Sequence, residues 1–394
     1  MVNWDILSIV FFYLILLSVY SLYKKRFETQ GLLVMYKTKW GLKLMDRLAK
    51  PFPQFLHYFS LLGVYLGFGG MAYLLYFLTK ETIKLIFVAG TEPALAPVLP
   101  GVQIPGAPVL TFWHWLIAIF AAAVIHEFSH GVVARLHKIP IKSSGFAFFG
   151  PLLAAFVEPD EKVTEKKKAS EQLAVFAAGP FSNMVLGAVI LLFTLFVFSP
   201  LVGTLYQGDG VIVHALVDGY PMNATGIAVP FTILSVNGQE TLTAAAVDSA
   251  IGGIHPGDTV TLGTNKGSYT VVSAVNPQDA SRAFIGVSGF EQKVKARSAF
   301  WDSLKGVFDW LSLLLLWLFL INVGIGLFNL LPLGPVDGGR MFYTLALVTL
   351  KNESYAKRAL YIVSAFSLAL IVINMLPWLY KFLLWIGHGI LLLF

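Results

Sequence analysis

Ala121-Ala-Ala-Val-Ile-His126-Glu127-Phe128-Ser129-His130-Gly131 stands inside an otherwise apolar run from Thr111 to Leu136. The run is long enough to cross hydrocarbon as a helix. It nevertheless carries two imidazoles and a carboxylate, groups that are costly at bilayer depth and are kept there for function. Four residues apart on a helix, His126 and His130 share one face, with Glu127 flanking them. Such a face has to look at other helices rather than at lipid. The stretch therefore predicts a bundle of membrane helices around a buried polar site.

Composition agrees. Of 394 residues, 57% are hydrophobic and 13% charged, about half the usual charged share. Too little charge is present to cover one large soluble core, so lipid must surround much of the chain. Further apolar spans run approximately from Ile6 to Tyr23, Phe55 to Leu78, Leu173 to Phe198, Phe308 to Leu331 and Ala359 to Leu376. With the opening stretch they make about six. The apolar residues from Trp378 to Phe394 continue the last span, turn back or lie in the interface.

Lys24-Lys25-Arg26 follows the first apolar run, as at the inner end of an anchored helix; a signal peptide would place its basic residues before that run. Eighteen Lys and Arg fall in the loops 24–50, 136–172 and 338–358, against Lys80 and Lys84 in the short connection between the second and third spans on the alternate side. Positive residues in short loops mark the cytoplasm, so the N-terminus is expected outside. The net charge of +6 is then a matter of topology and gives no argument for nucleic acid. With no Cys in the chain, disulfides and thiolate metal sites are excluded.

From about Tyr206 to Gln292 the pattern changes to Gly, Val, Thr, Asp and Asn with period-two runs such as Val211-Ile212-Val213-His214-Ala215, the signature of a small β-rich soluble domain. By topology it lies outside. The expected organisation is a two-helix region and outer loop (1–110), a first part of the membrane core (111–205), the soluble domain (206–295), a second part of the core (296–358) and a C-terminal helix or helices (359–394).

His-Glu-x-x-His on a helix is the zinc-protease pattern, two imidazoles for the metal and a carboxylate beside them. From this composition a chance match is expected about 0.005 times. Catalytic zinc commonly takes three protein ligands, and the third has to come from elsewhere. Among carboxylates near the spans, Asp337 in Asn329-Leu-Leu-Pro332-Leu-Gly334-Pro335-Val-Asp337-Gly338-Gly339 lies near the same membrane face as His126, whereas Asp302 and Asp309 lie near the other. His57, His114, His137, His214, His255 and His388 stand singly.

Taken together, His126-Glu127-Phe-Ser-His130 in one span, Asn329 through Pro332 to Asp337-Gly338 in a later one, and a soluble β domain between them resemble the site-2 protease family of intramembrane zinc metalloproteases. The resemblance covers about Trp113 to Thr349. It implies one Zn2+ per chain held by His126, His130 and Asp337, with Glu127 as catalytic acid/base and Asn329 and Gly338 as supporting members of the second motif. The family's Gly-Pro-x-x-Asn element matches Gly179-Pro180-Phe-Ser-Asn183, implying a supporting role for Asn183. Residues Ser143 to Phe156 look like the membrane-associated β-hairpin that family members place beside the site. Gly210-Val-Ile-Val, Leu234-Ser-Val-Asn237-Gly238 and Pro256-Gly257-Asp258 resemble PDZ-type strands and turns, of a domain that filters substrates by size or binds peptides.

The expected fold is thus a polytopic α-helical membrane protein with an inserted extracytoplasmic PDZ-like domain and a membrane-associated β-hairpin. The expected function is hydrolysis of a single-span membrane protein within the bilayer, after a first cut by an upstream site-1-type protease, with the active site nearer the cytoplasmic face. A zinc-holding scaffold or metal transporter is the alternative, and it has no need of Glu127. A membrane zinc protease with an external catalytic domain would need a Glu-x-x-x-Asp helix downstream, which the chain lacks.

Overall fold

The computed structural model describes residues 4–30, 33–102, 104, 106–149, 152–277 and 279–391. In chain order the elements are α1 (Trp4–Tyr23), β1 (Glu28–Gln30), β2 (Leu33–Thr38), α2 (Leu42–Ala49), α3 (Pro53–Phe87), α4 (Phe112–Leu136), β3 (Ile141–Phe149), β4 (Leu152–Pro159), α5 (Glu161–Thr164), α6 (Ala169–Phe193) and α7 (Ser199–Leu205). Then come β5 (Tyr206–Leu216), α8 (Pro221–Ala224), β6 (Phe231–Val236), β7 (Gln239–Glu240), α9 (Ala244–Gly252), β8 (Thr259–Thr264), β9 (Gly267–Val272), β10 (Ala274–Val275), β11 (Ala283–Phe284) and β12 (Val287–Ala296). The chain ends with α10 (Ala299–Ser303), α11 (Lys305–Asn329), α12 (Asp337–Leu350) and α13 (Glu353–Leu391).

Two compact units result, Met1–Phe193 with Ser312–Phe394, and Thr194–Leu311. Six helical stretches among the described residues are long and apolar enough to cross a membrane, one for each expected span. Their ends move, however. The second is 35 residues long, about 52 Å of helix and more than the hydrocarbon needs. Beyond Leu376, α13 simply continues through Pro377 to Leu391.

In the first unit α6 packs against α3, α4 and α12. Small residues make this possible: Ala134 of α4 meets Ala174 and Ala178 of α6 in one buried cluster. Gly63 of α3 abuts the Phe181 ring, and Gly67 abuts Met341 of α12. Between membrane helices, van der Waals packing over small residues replaces the hydrophobic drive.

The loops after the first and third spans join in one antiparallel sheet, in the order β1-β2-β3-β4. The hairpin expected at 143–156 is therefore half of a larger sheet, with Lys37 of β2 opposite Gly145 of β3; its tip at Gly150-Pro151 lies outside the described residues. The sheet runs beside α4 rather than at its end. Phe146 stacks on Phe120 at 5.8 Å between centroids, and Phe120 stands sixteen residues, about 24 Å of helix, before Leu136.

The second unit is larger than the 206–295 expected, because helical segments flank its strands: Tyr206 Oη donates to the Trp301 carbonyl at 2.6 Å, and Arg297 N–H to that of Leu205. Its main sheet has the order β12-β5-β6-β8-β9, with β7 paired to β6. Alternating Val211, Val213, Phe231, Ile233, Val260 and Leu262 are buried in its core. A cleft of about 350 Å³ opens beside α9, lined by Val247, Ile251, Phe284 and Phe290.

Candidate metal centre

α4 presents His126 and His130 on one face, as the four-residue spacing requires, and both are buried. Asp337 reaches them from the first turn of α12. Its Oδ2 lies 2.9 Å from His126 Nε2 and 3.3 Å from His130 Nε2. The three ligand atoms all fall within 4.8 Å of one another. Ligand atoms around a tetrahedral ion with bonds near 2.1 Å stand about 3.4 Å apart, so the trio has the chemistry and the spacing to hold a metal.

Each imidazole is oriented from behind. His130 Nδ1 donates to the Val175 carbonyl of α6 at 2.7 Å. A carbonyl can only accept, so the proton of the neutral ring sits on Nδ1 and Nε2 offers its lone pair. His126 Nδ1 faces the Asn183 amide at 3.3 Å, and Asn183 Oδ1 is buried without another partner. Turned toward Nδ1–H, Oδ1 would be satisfied and would leave His126 Nε2 as the ligand.

Space at the centre comes from Gly179. A Cβ there would stand 2.6 Å from His126 Nε2 and as close to His130 Nε2. In the sequence Gly179 stands out only as the first residue of the Gly-Pro-x-x-Asn match; the missing side chain is what α6 contributes.

Glu127, half-buried beside the pair, accepts a hydrogen bond from the Val157 N–H of β4 at 3.0 Å. This contact has no signal in the sequence, since thirty residues separate the partners. It fixes β4 against the site, and Glu127 keeps its second oxygen.

The two remaining expected residues stand differently. Gly338 lies where a Cβ would collide with the Leu330 and Leu331 carbonyls, so it lets the Leu330–Val336 turn fold back onto α12 and aim Asp337. Asn329 donates to the Ile325 carbonyl of its own helix at 3.0 Å. Nor are all single histidines single: the His57 and His137 rings lie 6.4 Å apart, with Glu171 3.5 Å from His137 Nδ1, tying α3, α4 and α6 together at one end. Burial pushes the His137 imidazole below its usual pKa.

A family model described as peptidase family M50 matches residues 114–374. An uncharacterized protein of Methanocaldococcus jannaschii is 35% identical over 164 residues, which cover 40% of this chain and 41% of that protein. The chain thus spans about two fifths of the length of that curated relative.

Proposed function

Because the chain belongs to peptidase family M50, the site-2 protease family of membrane metalloproteases, we propose that it hydrolyses a peptide bond of a single-span membrane protein within the bilayer, using one Zn2+ held by His126, His130 and Asp337. The observation that carries this reading is the convergence of those three ligand atoms beside the Glu127 carboxylate, inside a unit of membrane-length helices. A scaffold or transporter would keep the three ligands without a carboxylate next to them.

When bound, zinc supplies Lewis acidity that polarises a carbonyl and acidifies water. Glu127 takes the proton of the attacking water on its available oxygen and returns it to the leaving amine. Val157 N–H, by holding the other oxygen, restricts the carboxylate to one position. Val175 and Asn183 keep both imidazoles aimed. Withdrawing zinc with a chelator from the full chain in liposomes should abolish fragment release from a single-span substrate, and one equivalent of zinc should restore it. Cleavage indifferent to metal would sink the reading.

A transmembrane helix has its backbone paired and must be opened before cleavage. β4 is the edge of its sheet. Because Val157 N–H points away from β3, the antiparallel alternation turns the N–H and C=O of Ala155 and Leu153 to that same side. An unwound substrate would add there as a further strand. Ala155→Pro removes one such donor, so kcat/KM should fall about tenfold, the worth of one good hydrogen bond, with zinc content unchanged. An unaltered kcat/KM would remove β4 from substrate binding.

In this reading the basic loops are cytoplasmic. Support comes from the count in the short loops, eighteen positives against two, and protease protection in sealed vesicles reads it directly. The second unit then lies outside. Its α9 beside the sheet edge at β12 is PDZ-like.

A further inference from the structure

We propose that α2 is an interfacial helix whose cations bind the phosphate headgroups of anionic lipid while it braces the helix that carries His126 and His130. The proposal is independent of the proteolytic reading. It rests on the three faces that α2 presents.

One face is locked to α4. Met45 and Ala49 are buried, and the Met45 thioether fills the space over Gly131, its Cε 2.9 Å from where a Cβ would stand. Asp46 Oδ1 pairs with Arg135 Nε at 3.1 Å. Gly131 is the residue after His130, so any force on α2 is delivered next to the ligand pair.

A second face is apolar and bare. Leu44 and Leu48, one turn apart, are 47% and 45% exposed, and at the same spacing Trp40 and Phe52 are 79% and 68% exposed. Exposed large apolar side chains in a row mark a surface that something covers. The row runs on into Phe55 and Tyr58, exposed on the first turns of α3, a helix of membrane-spanning length. This patch is therefore continuous with the lipid-facing surface.

The third face is cationic. Lys39, Lys43, Arg47 and Lys50 are exposed, and the last three surround a shallow depression with Asp46 and Pro51. Asp46 is engaged with Arg135, and among the described residues no carboxylate pairs with Lys43, Arg47 or Lys50. A short helix with an apolar stripe beside a cationic one lies in the headgroup boundary of a bilayer. A soluble anion would satisfy the cations and leave the apolar stripe in water; an anionic bilayer surface satisfies both.

The test uses fluorescence of the full chain in nanodiscs containing brominated phosphatidylglycerol or, at equal mole fraction, brominated phosphatidylcholine. The Trp40 signal is taken as the difference between wild type and Trp40→Leu. Quenching of that signal by the anionic lipid should exceed quenching by the zwitterionic one by up to about fivefold, the Boltzmann factor for a single cation at an anionic surface. In the Lys43→Gln/Arg47→Gln/Lys50→Gln variant the two lipids should quench alike. Equal quenching in the wild type overturns headgroup recognition. No quenching by either lipid overturns membrane contact and leaves a protein partner as the occupant.

Discussion

Glu127→Gln should lower kcat for cleavage of a single-span substrate by about 10² to 10⁴-fold, the range a positioned general base contributes, while zinc content stays at the wild-type value. The amide keeps the size and an acceptor oxygen, so the hydrogen bond from Val157 N–H survives and β4 stays docked. What is lost is the only role the amide cannot fill, taking a proton from water. Glu127→Ala deletes both functions together, and its comparison with Glu127→Gln separates them. If the base role and the docking role are both real, the Ala variant should additionally raise KM, because β4 loses its fixed position beside the ligands. Cleavage by Glu127→Gln within tenfold of wild type, with zinc in place, would remove Glu127 from the chemistry.

The helices and the clustered trio His126, His130 and Asp337 are legible for one reason. In a chain that must meet lipid, apolar runs of eighteen residues or more cannot be hidden, and a polar side chain inside one of them is conspicuous. His126, His130 and Asp337 could be singled out because charge is scarce around them. The β1–β2 half of the sheet was illegible for the opposite reason. Leu33-Val34-Met35-Tyr36 shows no period-two alternation, since both faces of such a strand avoid water, and its partner Phe146-Ala147-Phe148 lies more than a hundred residues away. The basic residues around it read as loop. Contacts that depend on such long-range pairing, Glu127 with Val157 and His57 with His137, leave no local trace. Gly179 was visible as a residue and opaque as a function: what it does depends on α4 standing within a side chain's width of it.

That closeness makes Gly179→Ala the sharper test of the metal centre. By intrinsic propensity the substitution favours the helix, Ala over Gly by about 1 kcal/mol within α6, and elsewhere on this helix it would stabilise. Here the new methyl would stand 2.6 Å from His126 Nε2 and against His130 Nε2, far inside any tolerated contact. The imidazoles could yield only by giving up what orients them, the Val175 carbonyl at His130 and the Asn183 amide at His126. Both ligand atoms would then leave the Asp337 carboxylate. Loss of a single orienting partner costs a metal site about 10 to 100-fold in affinity; displacing two ligands together should cost about 100-fold or more. Zinc retained by the variant after dialysis against a metal buffer should fall accordingly, and cleavage with it; the metal-free protein gives up the same two buried hydrogen bonds, so its thermal stability should fall too, the helix-propensity gain of about 1 kcal/mol offsetting that loss only in part. A Gly179→Ala protein that keeps one zinc and full activity would show that the metal, if any, is held elsewhere than between these two rings.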